Sequence, residues 1–311
     1  MLDVLLLLLP VTYFVSAFVL TLIRFKVGIR LFGLVSLFLI AALVAVFLIK
    51  AYPALVRYGP ALFTTAEWDP VREKYGLAQA IVGTLITSAI ALGIAMPLAV
   101  GAAVTINEFL PPRLARLFAS LVDLTAAMPT VLYGLWGLFV LGPALGAGLT
   151  SLAKAVGLDV LVPPYTLLTA AVLLGIMVTP YASAVIREGY ALIPKVVEEA
   201  IYSMGATKFE AVVLKLRYVR NYIFGGLFLA LGRAMGETVA VAMVVGGNFS
   251  RFTTTPWESG ITISSLIALQ FPNAQSYTYM EPVLFAGALA LAALGVAINA
   301  AALYILRRWQ I

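Results

Sequence analysis

Seven stretches of this chain are almost wholly apolar, and the segments between them gather nearly all of the charge. They run over residues 2–23, 29–49, 77–106, 117–141, 165–186, 222–247 and 282–306. A helix needs about 20 apolar residues, at about 1.5 Å each, to cross roughly 30 Å of hydrocarbon. The pattern therefore predicts an all-α membrane protein with about seven transmembrane helices. The first stretch starts with Asp3 rather than a basic segment, and its apolar run is too long for a signal peptide. No small-x-small cleavage site follows, so it is read as a retained helix.

Three connecting segments are too long to be turns. Residues 50–76 hold Pro53, Pro60 and Glu67-Trp68-Asp69-Pro70. Residues 248–281 include an apolar run, 261–269, too short to span and predicted to be re-entrant or interfacial. Residues 187–221 are the most structured by their local signals. No internal repeat or low-complexity tract is visible.

Composition narrows the class. Hydrophobic residues make up 63% of the chain and charged residues 11%, where a soluble domain carries about 25% charge. Mean hydropathy is +1.05. So much apolar surface excludes a soluble enzyme and a disordered chain. The chain has no cysteine, so no disulfide, thiolate nucleophile or Cys-ligated metal is available. It has no histidine either, which removes the commonest general base and metal ligand. No catalytic residue, cofactor or metal site is expected.

The sequence pI near 9.5 could suggest nucleic acid, but in a membrane protein basic residues gather in cytoplasmic loops. With residues 24–30 set inside, 13 of the 20 basic residues fall inside and 6 outside, leaving Arg233 within a span. That bias predicts a multi-pass protein of the cell membrane, in contact with the lipid bilayer and not with nucleic acid. The N-terminus is then outside and the C-terminus inside. With Asp3, at the start of the first stretch, counted outside, only Asp123 and Glu237 of the acids fall within spans.

The inner loop 187–221 reads as two short helices around a defined turn. Pro194 stands at a helix start, where its missing N–H costs nothing. Val197, Ile201 and Met204 follow at helical spacing. Gly205 suits the left-handed residue after a helix, and Thr207 with Glu210 three residues on forms a capping box. An ordinary inter-helix loop is the plain alternative.

Glu199-Ala200-Ile201, with Gly205 six residues after the glutamate, resembles the EAA-x3-G motif of ABC importer permeases. In that family the loop is a coupling helix that docks on a separate ATPase, which implies coupling roles for Glu198, Glu199, Ala200, Gly205, Ala206 and Thr207. The family's isoleucine-x-leucine-proline ending is absent: Lys215, Arg217 and Tyr218 stand there instead. The run from Leu231 to Val241, Leu-Gly-Arg-Ala-Met-Gly-Glu-Thr-Val-Ala-Val, resembles phosphate-specific importer permeases of the PstC type. So does the run from Met128 to Phe139, Met-Pro-Thr-Val-Leu-Tyr-Gly-Leu-Trp-Gly-Leu-Phe. Trp68-Asp69-Pro70 and the run from Gly83 to Ser88 agree with it. The resemblance covers roughly residues 50–308 and implies a type I ABC importer permease fold with one extra N-terminal helix.

Within the span 222–247, Arg233 lies about 18 Å along a continuous helix from Asn221, near mid-bilayer. A charge there needs a partner or a wet path. Glu237, one turn on, would share its face. A guanidinium offers a fork that matches phosphate oxygens bidentately. Arg233, Glu237 and Thr238 are thus candidates for the substrate path, with a structural ion pair as the alternative. Gly232 and Gly236 form a GxxxG that permits close helix packing. Pro129 is expected to kink the span 117–141, and Pro129 and Tyr133 are candidate path residues or simply packing ones.

No G-x-x-x-x-G-K-[ST] loop and no Gly-Lys pair occurs, so ATP binding by the usual phosphate loop is not expected of this chain. The division expected is an extra helix at 1–28, a helix and outer loop at 29–76, and a five-helix permease core at 77–308. The resemblance implies an ABC ATPase dimer, a homologous second permease and an extracellular phosphate-binding protein as partners. The function expected is the permease subunit of an ATP-driven phosphate importer working by alternating access. The alternatives are a permease for sulfate, molybdate or tungstate, or a gradient-driven carrier.

Overall fold

The computed structural model describes residues 25–249 and 252–309. The expected span 2–23 lies outside the described residues, as do Arg24 and Arg251 and the side chains of Lys26, Arg307 and Arg308. Among the described residues every regular element is helical, apart from isolated bridges between Asp69 and Lys74 and between Gly246 and Gly260.

Helix α1 (Phe25–Tyr58) is followed by the short α2 (Ala61–Thr64) and by α3 (Ala78–Val104), which runs on into a π turn, Thr105–Phe109. An amphipathic α4 (Pro112–Ala127) precedes α5 (Thr130–Trp136), a second π turn (Gly137–Leu141) and α6 (Gly142–Ala155). Then come α7 (Leu167–Ala191), the loop helices α8 (Lys195–Ser203) and α9 (Lys208–Tyr218), α10 (Arg220–Gly236), α11 (Val239–Val244), α12 (Ile263–Gln270) and α13 (Met280–Trp309). Five stretches of the described residues are long and apolar enough to cross a membrane: Val27–Tyr58, Ala78–Phe109, Thr130–Ala155, Leu167–Ala191 and Met280–Tyr304.

The packing centre is α3 against α7. The buried face of α3 is almost all small: Ala80, Gly83, Thr84, Thr87, Ala91, Ala95, Ala99 and Ala103 recur about every fourth position. In lipid there is little hydrophobic drive between helices, so close van der Waals approach must hold them. Gly175 on α7 answers this stripe; a Cβ there would meet the Ala91 carbonyl oxygen at 3.1 Å. Thr84 and Thr87 satisfy their hydroxyls on the carbonyls of Ala80 and Gly83 within the helix. Three apolar clusters follow one another along α3, joined in turn by α1 and α13, by α7 and α11, and by α7 and α10.

The run 261–269 folds back into protein. Ile261, Ile263 and Leu266 are buried, and the Ile263 N–H donates to Thr84 Oγ1 at 2.9 Å. A capping box of Thr262 and Ser265 starts α12 there.

Two spans differ from the sequence expectation. The span 117–141 is interrupted at Met128 and Pro129: Met128 is extended, with ψ 136°, because the proline ring disfavours a helical residue before it. The membrane-length stretch instead begins at Thr130 and continues to Ala155. It survives Pro143 because the π turn ends just before Gly142, which puts the proline in the first turn of a new α segment. The span 222–247 is likewise two helices. Gly236 ends α10, Glu237 is extended with ψ 125°, and α11 begins at Val239.

Candidate functional site

The break at Pro129 sets the geometry of the site. Ending α4 there leaves its last carbonyls without helical partners. Two tyrosine hydroxyls take them: Tyr133 donates to the Thr125 carbonyl at 2.9 Å, and Tyr181 on α7 donates to the Ala126 carbonyl at 2.7 Å. Tyr133 is buried and Pro129 exposed. Tyr133 is thus tied to the turn that Pro129 makes.

Arg233 reaches the same place from α10. Its Cζ lies 4.2 Å from the centroid of the Tyr181 ring. The side chain is half-buried, its Nε is buried without a hydrogen-bond partner, and it makes no ion pair among the described residues. It stands in the last turn of α10, where the helix dipole favours a cation. An aromatic face holds a guanidinium without saturating its donors, so the fork stays available to an oxyanion. Tyr181 was not singled out from the sequence; its only signal is a polar-tipped aromatic beside Pro180 inside an apolar span.

Glu237 is not the partner of Arg233. The one-face relationship required an unbroken helix, and α10 ends between them. Glu237 is buried, its Oε1 accepts the Ala240 N–H at 3.3 Å, and its backbone carbonyl accepts the Ser264 hydroxyl at 2.8 Å. The Thr238 hydroxyl donates to the Gly236 carbonyl at 3.1 Å. Glu237 and Thr238 therefore stabilise the discontinuity itself. Gly232 and Gly236 make no close packing among the described residues: a Cβ on either would meet none of their atoms within 4 Å. Asp123 pairs with Arg187 of α7 and so ties α4 to the start of the inner loop.

The loop 187–221 has the form its caps predict. Gly205 is left-handed with φ 80°, and Thr207 and Glu210 complete a reciprocal capping box. The Glu210 carboxyl is held below its ordinary range by the Thr207 backbone N–H and then the Thr207 hydroxyl. Glu199 and Ala200 are exposed, and an open groove of about 500 Å³ is lined by Gly205, Ala206, Phe209, Glu210 and Leu214 among others. Met204 and Phe209, both part of that lining, are about three-quarters exposed. Glu198 turns inward instead, to Lys215.

The sequence profile described as "Binding-protein-dependent transport system inner membrane component" matches residues 95–311. A probable phosphate transport system permease protein PstC of Methanocaldococcus jannaschii is 43% identical over 271 residues, 84% of this chain and 86% of that one. The phosphate transport system permease protein PstC of Mesorhizobium japonicum is 38% identical over 83% of this chain and 81% of its own. Among solved structures, a bacterial ABC transporter for alginate import aligns with a TM-score of 0.55 at 18% identity, over 92% of this chain and 99% of that one. The MetNI methionine ABC transporter aligns at 0.52 and 19%, over 76% and 94%. By that profile match and those relatives, the chain belongs to the inner-membrane components of binding-protein-dependent transport systems.

Proposed function

We propose that this chain is a permease subunit of an ATP-driven importer that moves inorganic phosphate into the cell by alternating access. The observation that carries the reading is Arg233 on the face of Tyr181 at the end of a discontinuous helix. Broken membrane helices commonly bring their ends to a substrate site near mid-bilayer. There a guanidinium with free donors can receive an anion's oxygens. The relatives' names, phosphate transport permeases at 38–43% identity, favour phosphate over other oxyanions.

The remaining parts of the machine follow from the same residues. The chain has no phosphate-binding loop for ATP, so hydrolysis belongs to a separate ATPase dimer, docked on the exposed Glu199, Ala200, Met204 and Phe209 of the inner loop. Gly232 and Gly236 are exposed beside a charged residue, which lipid would not solvate. That face of α10 is covered by a second, homologous permease, and the path runs between the two. The segments 50–76 and 248–281 face an external phosphate-binding protein, and the excess of basic residues in the inner loops sets the C-terminus inside.

Uptake into proteoliposomes holding the permease pair, the ATPase and the binding protein tests this. Labelled phosphate should enter only with ATP. Preference for sulfate or molybdate would replace the substrate. Uptake driven by an ion gradient without ATPase would replace the mechanism.

A further inference from the structure

Lys215 is the buried cation of the inner loop: it is 4% exposed, while Lys195, Lys208, Arg217 and Arg220 are exposed and Arg187, at the start of the loop, is partly buried in its pair with Asp123. Its Nζ donates to Glu108 Oε1 at 2.9 Å and to Glu198 Oε1 at 2.5 Å. Burial alone would lower its pKa, but the hydrogen bonds it donates to Glu198 and Glu108 raise it above the ordinary lysine value. The Glu108 side chain is 8% exposed.

Each member of this trio comes from a different element. Glu198 belongs to α8 and Lys215 to α9, while Glu108 sits in the π turn that closes α3. A π turn holds one residue more than an α turn, and that residue rotates later side chains by about 100° about the axis. This turn brings Glu108 onto Lys215. Lys208 of α9 adds a second contact, its Nζ 4.6 Å from the Phe109 ring centroid in the same turn. Position 215 is also where the importer family's apolar isoleucine would stand.

We infer that the Glu108–Lys215–Glu198 junction is the strut that makes α3 move with the coupling loop, and that Lys215 is a positioning residue for transport. The inference rests on the importer reading above. Apolar contacts can slide past one another, whereas short charge-assisted hydrogen bonds keep one direction and one register. A displacement of α8 by the ATPase is therefore passed through Lys215 to the end of α3. Through the small-residue stripe of α3 it reaches α7, which carries Tyr181 and hence Arg233.

The test uses the assembled complex in proteoliposomes and reads phosphate moved per ATP hydrolysed, with ATPase retention measured by co-purification. In Lys215→Met the ATPase should stay bound while the transport-to-hydrolysis ratio falls at least about tenfold, and Lys215→Arg should recover most of it. The double variant Glu108→Gln/Lys215→Met removes the buried charges together, so it should assemble even where the single variant does not, and should remain uncoupled. A double variant that assembles and keeps a wild-type ratio overturns the strut. Loss of the ATPase from both variants also overturns it, because the junction would then only shape the docking surface. Wild-type uptake that needs no ATP would bring down the importer reading itself, and is told apart because it requires no variant.

Discussion

Arg233 and Tyr181 are stacked cation on ring, Cζ 4.2 Å from the centroid, and the Tyr181 hydroxyl is donated to the Ala126 carbonyl. The break at Pro129, the centre of α7 and the end of α10 are thereby linked through one aromatic side chain. The ring gives the guanidinium a fixed seat worth about 0.5–2 kcal/mol, without spending its N–H groups.

Arg233→Gln should leave assembly intact and cut phosphate uptake at least tenfold, since a hydrogen bond to a charged group is worth about 1.5–3 kcal/mol. Tyr181→Phe, which keeps the ring face, should retain much of the uptake that Tyr181→Leu loses. Equal uptake by the phenylalanine and leucine variants would remove the ring from the mechanism.

Gly205 has φ 80° and, among the described residues, no atom within 4 Å of where a Cβ would stand. Substitution there is penalised by conformation, not by collision. Gly205→Val should weaken ATPase co-purification, with a left-handed penalty of roughly 1–2 kcal/mol, and Gly205→Asn should be tolerated far better. Identical behaviour of the two would mean that crowding, not backbone geometry, decides.

The Glu210 carboxyl is depressed by the Thr207 backbone N–H and hydroxyl. A carboxyl with a lowered folded value stabilises the helix start fully above its unfolded pKa and loses that effect as pH falls through the folded one. Hydrogen-exchange protection of the first turn of α9 should therefore decline on acidification below the ordinary value of 4.5. Glu210→Gln, which can still close a capping box, should flatten that decline.

Gly83 and Gly93 lie on one helix with opposite surroundings. A Cβ on Gly83 would come 2.0 Å from the Ile261 carbonyl oxygen, whereas one on Gly93 would meet no atom of the described residues within 4 Å. Gly83→Ala should destabilise the protein by about 1–3 kcal/mol, read as a lowered Tm in detergent. Gly93→Ala should be neutral or stabilising by up to about 1 kcal/mol, because alanine is the better helix former.

Much of this could be read along the chain, because it depends on local patterns. Apolar length alone marks α1, α3, α7 and α13. Pro194, Gly205, Thr207 and Glu210 describe the inner loop through capping chemistry that acts within four residues. Pro129 and Arg233 are conspicuous because lipid penalises a missing N–H or a lone charge wherever it stands. Local pattern loses its hold where a helix breaks. Pairing Arg233 with Glu237 assumed an unbroken α10, yet Gly236 and the capping side chains of Glu237 and Thr238 end it. Carrying one span from 117 to 141 assumed a kink where Pro129 makes a full stop.

By itself the sequence determined the number of charges the membrane must accommodate, the loop's turn and caps, and the small-residue faces of the helices. Those follow from backbone geometry and solvation of each residue in place. Only the tertiary structure decided the partners. Tyr181 lies 52 positions from Arg233, and Glu108 lies 107 from Lys215. No local periodicity relates residues so far apart; they meet because α3, α7 and α10 pack together and the π turn at the end of α3 places Glu108 against α9.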